Sequence, residues 1–264
     1  MHPLESSFRK LSRGIHHRNE ANRLTKAFVK AKPYTLRIEF DAATGDKRWV
    51  IDRVQRAPPL GISIAVGDSI YNLRSALDHL AWQLVLVNGG QPDERRTAFP
   101  LYDSPDRWQD WWKSKTKGMS APAIALIKSY QPCFQTHPYR AKWASWLENL
   151  CNLDKHRHLY VTFAATAGGM FSRPIPYEAR WFIHEGPIEN GTMVASIEKA
   201  HADVDFGFFG DIAFGNPGPA NDELVYPTLQ ALGLFVETVL EDFGSRFFPV
   251  PLPSSRRTRR AGSI

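Results

Sequence analysis

The stretch NLRSALDHL, at residues 72–80, combines the side chains of a chemical site with the pattern of an apolar helix. Its charged or titratable members are Arg74, Asp78 and His79. Arginine binds phosphate or carboxylate through paired N–H groups, and histidine titrates near neutral pH. At about 100° per residue, Arg74 and Asp78 form an i, i+4 pair on one flank, whereas Asn72 and His79 share the opposite flank. Because Arg74 and His79 are about 140° apart, a site that uses both needs a second element or a second subunit.

A second polar cluster, DKHRH, follows a tryptophan-rich segment. Its five consecutive titratable residues are Asp154, Lys155, His156, Arg157 and His158. They stand where a helix is expected to end and the apolar strand LYVTF to begin, so that some of them need partners at the core boundary. We therefore expect Arg74 or Asp78 within ion-pair distance of Asp154, His156 or Arg157. We also expect His79 to lie near His156.

Metal binding is one use of these residues. Asp154 and His158 form an i, i+4 pair, and further nitrogen and oxygen ligands are available from Asp78, His79 and His156. Such ligands suit Zn, Mn or Fe, but Lys155 and Arg157 would stand among them and repel a cation. Metal binding is therefore the third choice, and the prediction assigns no metal and no cofactor.

The elements that must position these residues follow from hydrophobic periodicity. YTLRIEF and KRWVIDRV, on either side of DAATGD, predict a β-hairpin. The apolar residues of a helix over 61–88 recur at alternating steps of three and four. Other helices are expected at 4–31, 105–114, 120–130, 138–153 and 221–246. Short β-type runs separated by Gly, Pro and Asn predict a small sheet after Leu159.

These elements predict an α+β protein with a helical bundle core, a β-hairpin near the N-terminus and a small antiparallel sheet in the C-terminal half. We expect a single domain over residues 1–250. Its parts are a helical region at about 4–158, the sheet at about 159–215 and a C-terminal helix at about 221–246. The end of the chain, 251–264, has the Pro, Ser, Gly and Arg content of a disordered basic tail.

Composition limits the class of protein. The net charge is +6, but eight Lys/Arg fall in residues 1–32 and four arginines in 256–260, so basicity is not spread over the fold. Two isolated cysteines favour a reducing compartment. The first residues lack the apolar core of a secretory signal, and no apolar run is long enough for a membrane span. We expect a cytoplasmic protein without membrane contact.

Four stretches resemble, in the same order, a family of uncharacterised bacterial and phage proteins. They are PPLGISIAVGDSIYNLRSALDHLAWQL, AFPLY, IKSYQPCF and LENLCNLDKHRHL. The resemblance covers roughly residues 4–165, and its signatures are RSALDHL and DKHR. It implies a site at these residues and no particular reaction.

The spacing Arg74-x4-His79 is also similar to the R-x(4–6)-H motif of HEPN-type ribonucleases. These are helical proteins that join two such motifs across a dimer and cleave RNA without metal. The chain departs from that pattern at Ser75, where the family has Asn, Asp or His, and in its sheet. The resemblance implies RNA as partner and a homodimer.

On this reading the histidine is the general base or acid on a ribose 2′-hydroxyl, and the arginine holds the scissile phosphate. The expected catalytic residues are Arg74, Asp78, His79 and His156, and the expected substrate contacts are Asn72, Lys155 and Arg157. The alternative is a non-catalytic binding or scaffolding protein in which both motifs form a buried structural network. An active site must open to solvent, whereas a structural network is sealed and fully paired.

Overall fold

The computed structural model describes residues 2–156, 159–165, 169–215 and 218–249. The predicted substrate contact Arg157 lies outside the described residues, as do His158, which the metal alternative invokes, and the predicted tail at 251–264. The helices are α1 (Glu5–Lys30), α2 (Leu60–Val87), α3 (Pro105–Lys115), α4 (Ala121–Ser129), α5 (Pro138–His156) and α6 (Val225–Phe247).

Short strands occupy the rest of the regular structure. They are β1 (Tyr34–Phe40), β2 (Lys47–Val54), β3 (Val161–Ala165), β4 (Met170–Phe171), β5 (Trp181–Ile183), β6 (Gly186–Pro187), β7 (Met193–Ile197), β8 (Phe206–Gly207) and β9 (Gly210–Phe214). All pairings between them are antiparallel. The α+β prediction, with its N-terminal hairpin, is therefore confirmed.

The described part of the chain groups into two compact units. Unit 1 consists of the described residues of Met1–Asn19, Ala65–His158 and Pro227–Ile264, and unit 2 of those of Glu20–Ile64 and Leu159–Tyr226. The single domain over 1–250 stays a prediction. Within the described ranges, no helix has both the length and the apolar character to cross a bilayer.

Unit 1 is helical, and the apolar stripe of α2 is withdrawn from solvent. Its fully buried members in this unit include Ile70, Leu73, Leu77, Leu80 and Leu84. Burial of each such side chain contributes about 1.5–3 kcal/mol. Helix α1 approaches this stripe closely at Gly14, where an added Cβ would lie 2.9 Å from Leu73 Cγ. The hydroxyl of Ser69 donates to the Gly14 carbonyl at 2.9 Å, which fixes the same contact.

Unit 2 contains the sheets. The largest has four strands in the order β1-β2-β7-β5. The hairpin turns at Gly45, whose φ of 76° favours glycine. The second hairpin strand pairs with β7, so the hairpin and the strands of the C-terminal half belong to one sheet. The sequence predicted both parts but not this pairing, because strands far apart in the chain carry no local signal of their partners.

The ends of the helices match the sequence predictions to within a few residues, with one consequence for the site. Helix α5 was predicted over 138–153, whereas it continues to His156. Asp154, Lys155 and His156 therefore belong to its last turn and not to a connecting loop. Basic side chains are favourable there, since the C-terminus of a helix carries partial negative charge.

Candidate functional site

Arg74 lies on α2 and is bound by three groups: the side chains of Asp78 and Glu148 and the backbone of Phe99. We call Arg74 together with these three groups the Arg74 cluster. Arg74 Nε donates to Glu148 Oε2, its Nη1 to Asp78 Oδ1 and its Nη2 to the Phe99 carbonyl, each at 2.7 Å. The side chain of Arg74 is only 11% exposed. Each of the three guanidinium nitrogens thus already has an acceptor.

The Phe99 backbone belongs to the segment AFPLY, which leads from α2 to α3. Its N–H donates to Asp78 Oδ1 at 3.0 Å, so both backbone groups of Phe99 are bound by the Arg74 cluster. The fully buried Gln131 holds the next part of the segment, because its amide donates to the Pro100 carbonyl and accepts from Tyr102 N–H. Side chains thereby satisfy backbone groups that have no sheet or helix partner.

The opposite charges of Arg74 and Glu148 keep both groups of this pair ionised. Burial by itself would lower the pKa of Arg74, but the charges of Asp78 and Glu148 outweigh it and raise the pKa above its ordinary value. Burial would raise the pKa of Glu148. The charge and hydrogen bond of Arg74, with a hydrogen bond from Asn152, bring the Glu148 pKa below its ordinary value instead.

The sequence missed Glu148 and Gln131. Glu148 and Asp154 are the two acidic residues of α5, and Glu148 stands four residues after the buried Ala144 and three before the buried Cys151. This spacing places Glu148 on the flank of the buried stripe, a signal that was available. For Gln131 the sequence carries no such signal, because it stands after α4 and before Pro132, outside any apolar stripe.

The ion pair between α5 and Arg74 is made by Glu148 and not, as expected, by Asp154. Asp154 lies against another part of α2, where an added Cβ on Gly67 would be 2.7 Å from Asp154 Cγ. Gly67 precedes Arg74 by about two helical turns, or about 10 Å. Because α5 runs antiparallel to α2 here, its last turn passes Gly67, and Glu148 reaches Arg74.

His79 lies on a different side of α2 from the Arg74 cluster. It is half-buried, and burial together with the charge of Lys10 on α1 lowers its pKa, against an opposing effect of Asp78. Asn72 is buried, and its amide donates to the Asp68 carbonyl one turn earlier at 2.8 Å. Arg74 and His79 therefore lie on different flanks of α2, as the helical spacing of the two residues predicts.

The other predicted residues on α5 are exposed. Lys155 Nζ donates to Asn152 Oδ1 at 3.3 Å, within the same helix. His156 is the last residue of α5. In the ranges that the structure describes, no group of three or more His, Cys, Asp or Glu residues forms a metal-binding cluster. The metal reading also invoked His158, which is not among those residues.

Unit 1 also has an open apolar groove of about 310 Å³ between α3 and α4. Trp108 and Trp112 stack along it, with ring centroids 5.9 Å apart, and Lys128 also lines it. Trp108 is 3% exposed, as expected for a core residue. The residues that line this groove are separate from the Arg74 cluster.

No family model matches this chain, and neither the curated proteins nor the solved structures contain a match. Membership in the bacterial and phage family and the HEPN-type resemblance stay predictions.

Proposed function

We propose that this chain is a non-catalytic binding or scaffolding protein in which the RSALDHL motif is structural. One observation carries the proposal: each guanidinium nitrogen of Arg74 donates to a protein acceptor. Arg74 thereby connects α2 to α5 and to the segment that precedes α3. Such a protein binds its partners through surface residues. The role of the Arg74 cluster is then to fix the relative positions of α2, α5 and the segment before α3.

A phosphate at Arg74 would compete with the three acceptors that already take an N–H from its guanidinium. Displacement of these acceptors would leave the Phe99 carbonyl without this donor and Glu148 without its charge partner, although Glu148 would keep its hydrogen bond from Asn152. Each unsatisfied buried group costs about 1–3 kcal/mol, and a charged one costs more. The side chain of Asp78 is 38% exposed and lies at the solvent edge of the Arg74 cluster, whereas that of Arg74 is 11% exposed. Since Arg74 is the more buried group and each of its nitrogens is bonded, the arrangement supports a structural network better than an open anion site.

The second candidate is a HEPN-like, metal-independent ribonuclease. It is favoured by His79, which is half-buried with a lowered pKa. A histidine of lowered pKa is neutral near pH 7 and can accept a proton from a ribose hydroxyl. In this candidate the partner is RNA. The chain forms a homodimer in which the second subunit supplies the arginine that acts with His79. It also implies a bacterial or phage protein that acts in the cytoplasm.

The two candidates are separated by measuring RNA cleavage and melting on the same proteins. Wild type, His79→Ala and Arg74→Met are incubated in EDTA with mixed single-stranded and structured RNAs. His16→Ala, at an exposed histidine of α1, is the matched control. We expect no cleavage by any of the four proteins, and a lowered melting temperature for Arg74→Met.

The opposite result would replace this proposal by the ribonuclease. That result is cleavage by wild type and by His16→Ala, with a loss of about 10²–10⁴-fold in His79→Ala at unchanged melting temperature. Equal melting temperatures of wild type and Arg74→Met would contradict the structural role.

A further inference from the structure

Strand β1 forms one edge of the four-stranded sheet in unit 2, and apolar side chains are exposed along it. Among the described residues its hydrogen-bonded neighbour is β2 alone. Ile38 is 52% exposed and Phe40 is 63% exposed. An edge strand with exposed apolar residues is a surface onto which another strand can add.

The backbone groups that face the open edge follow from the ladder. Ile51 of β2 donates its N–H to Thr192 and accepts from Gly191, so its backbone groups point away from β1. Leu36 is opposite Ile51, which makes them a non-hydrogen-bonded pair. Backbone direction alternates along a strand. Leu36, Ile38 and Phe40 therefore direct their N–H and C=O groups outward.

The other end of the hairpin leads to the same assignment. Asp41 N–H donates to the Asp46 carbonyl at 2.9 Å, so the backbone of Asp41 faces β2. By alternation Phe40 faces outward, then Ile38 and Leu36. The residues whose backbone groups face the open edge are thus the ones with apolar side chains. The backbone groups of the intervening Arg37 and Glu39 face β2.

The side chains of β1 are self-complementary about its centre. If two β1 strands pair antiparallel with Ile38 opposite Ile38, then Leu36 of each strand is opposite Phe40 of the other. On the other face of the sheet, Arg37 of each strand is opposite Glu39 of the other. We propose that β1 binds β1 of a second copy of this chain in this register, so that two four-stranded sheets join into one of eight strands.

Charge selects this register over its neighbours. Centring the pair one residue earlier would place Arg37 opposite Arg37, and centring it one residue later would place Glu39 opposite Glu39. Like charges directly opposite are destabilising, and opposite charges stabilise. Within one chain Arg37 Nε and Glu39 Oε1 are 2.6 Å apart, and both side chains are more than 40% exposed. They are therefore accessible to the partner strand.

A second copy fits this edge better than a foreign strand does. A foreign strand would need an apolar residue flanked by acid and base in the complementary order, whereas the two-fold axis supplies that order. The resulting contact is the same surface on both chains and closes at a dimer. The inference concerns unit 2 and is independent of the function proposed from α2.

The test is the association state of the full chain, measured by sedimentation velocity from about 1 to 100 µM. We expect wild type to dimerise. Arg37→Glu and Glu39→Arg, each alone, place like charges opposite each other and should weaken the dimer at least about tenfold. An equimolar mixture of these two variants restores both attractive pairs, so it should form the heterodimer. Arg53→Glu, on β2, is the control and should dimerise as wild type does.

A second variant tests the backbone bonds. Ile38→Pro removes an outward N–H, which β2 does not use, and should abolish the dimer while the chain still folds, as checked by circular dichroism. If Ile38→Pro fails to fold, the mixture of the two charge variants alone decides. A wild type that is monomeric throughout, or a mixture that associates no better than its components, would overturn the proposal.

Discussion

The guanidinium of Arg74 on α2 and the carboxylate of Glu148 on α5 form an ion pair with Nε and Oε2 2.7 Å apart. The side chains are 11% and 25% exposed, so little solvent screens the pair. Burial removes the solvation energy of both charged groups. Their mutual attraction compensates this loss when their other hydrogen-bonding atoms also have partners. Asp78 and the Phe99 carbonyl each accept one further N–H of the Arg74 guanidinium. The stability of unit 1 should therefore depend on this pair.

Arg74→Met should lower the free energy of unfolding by about 3–5 kcal/mol, because it leaves Glu148 buried without its charge partner. Urea denaturation at pH 7 measures the loss. The control is Arg9→Met, which breaks an exposed i, i+4 pair with Glu5 and should change stability by at most about 0.5 kcal/mol. Losses of equal size in the two variants would contradict a structural role for the Arg74 cluster.

Glu148 should make stability depend on pH in the acid range. Its pKa is lower in the folded protein than the ordinary value of 4.5, because of Arg74. Its ion pair therefore contributes fully above about pH 4.5 and is lost as pH falls through the lowered folded-state pKa. Glu148→Gln should be less stable than wild type at pH 7, and this difference should shrink as the pH is lowered below about 4.5.

The measurement is urea denaturation of wild type and Glu148→Gln along a pH series. Glu241→Gln, at an exposed glutamate of α6, controls for the loss of one negative charge. A difference between wild type and Glu148→Gln that stays constant down to acid pH would show that the carboxylate acts through packing and not through its charge.

The ionised carboxylate of Asp211, on β9, should lower the stability of the fold at neutral pH, whereas that of Glu148 raises it. Burial raises the pKa of Asp211, and neither the Ile212 N–H nor Lys26 compensates fully. A carboxyl group whose folded-state pKa is raised reduces stability above that pKa, and the penalty disappears as pH falls through it. Asp211→Asn should therefore be more stable than wild type at pH 7 and nearly equal to it in acid. A less stable Asp211→Asn at pH 7 would show that the carboxylate is needed.

Gly67 should be required for the close approach of α5 to α2. Replacing a glycine inside a helix by alanine usually stabilises by about 1 kcal/mol. At Gly67, however, the new Cβ would lie 2.7 Å from Asp154 Cγ, so Gly67→Ala should lower the melting temperature. The control is Gly233→Ala in α6, where nothing lies within 4 Å of the added Cβ and the usual gain is expected.

Adding Asp154→Ala tests the cause. In that background Gly67→Ala should become stabilising, since the group that it meets is gone. A thermal melt of the four proteins of this cycle is sufficient. If Gly67→Ala raises the melting temperature in the wild-type background, α5 can move away at little cost, and the contact with Asp154 does not constrain the helices.

The sequence by itself determined the elements. Helix α2 was predicted over 61–88 and spans Leu60–Val87, because its burial repeats with the helical period along one continuous stretch. The hairpin was equally visible, since alternation on both sides of a glycine turn is a local pattern. The angle between Arg74 and His79 also follows from helical geometry, and the structure shows them on different sides of α2.

Tertiary structure alone decided which residues meet. Asp154 and Glu148 are both acids on α5, and only the relative position of two packed helices brings Glu148 to Arg74 and Asp154 to Gly67. The pairing of β2 with β7 joins strands from distant parts of the chain. Periodicity reports whether a residue is buried, but the partner of a buried charge or strand edge depends on how separate elements align. That alignment is determined by packing over the whole of each unit and leaves no local pattern in the sequence.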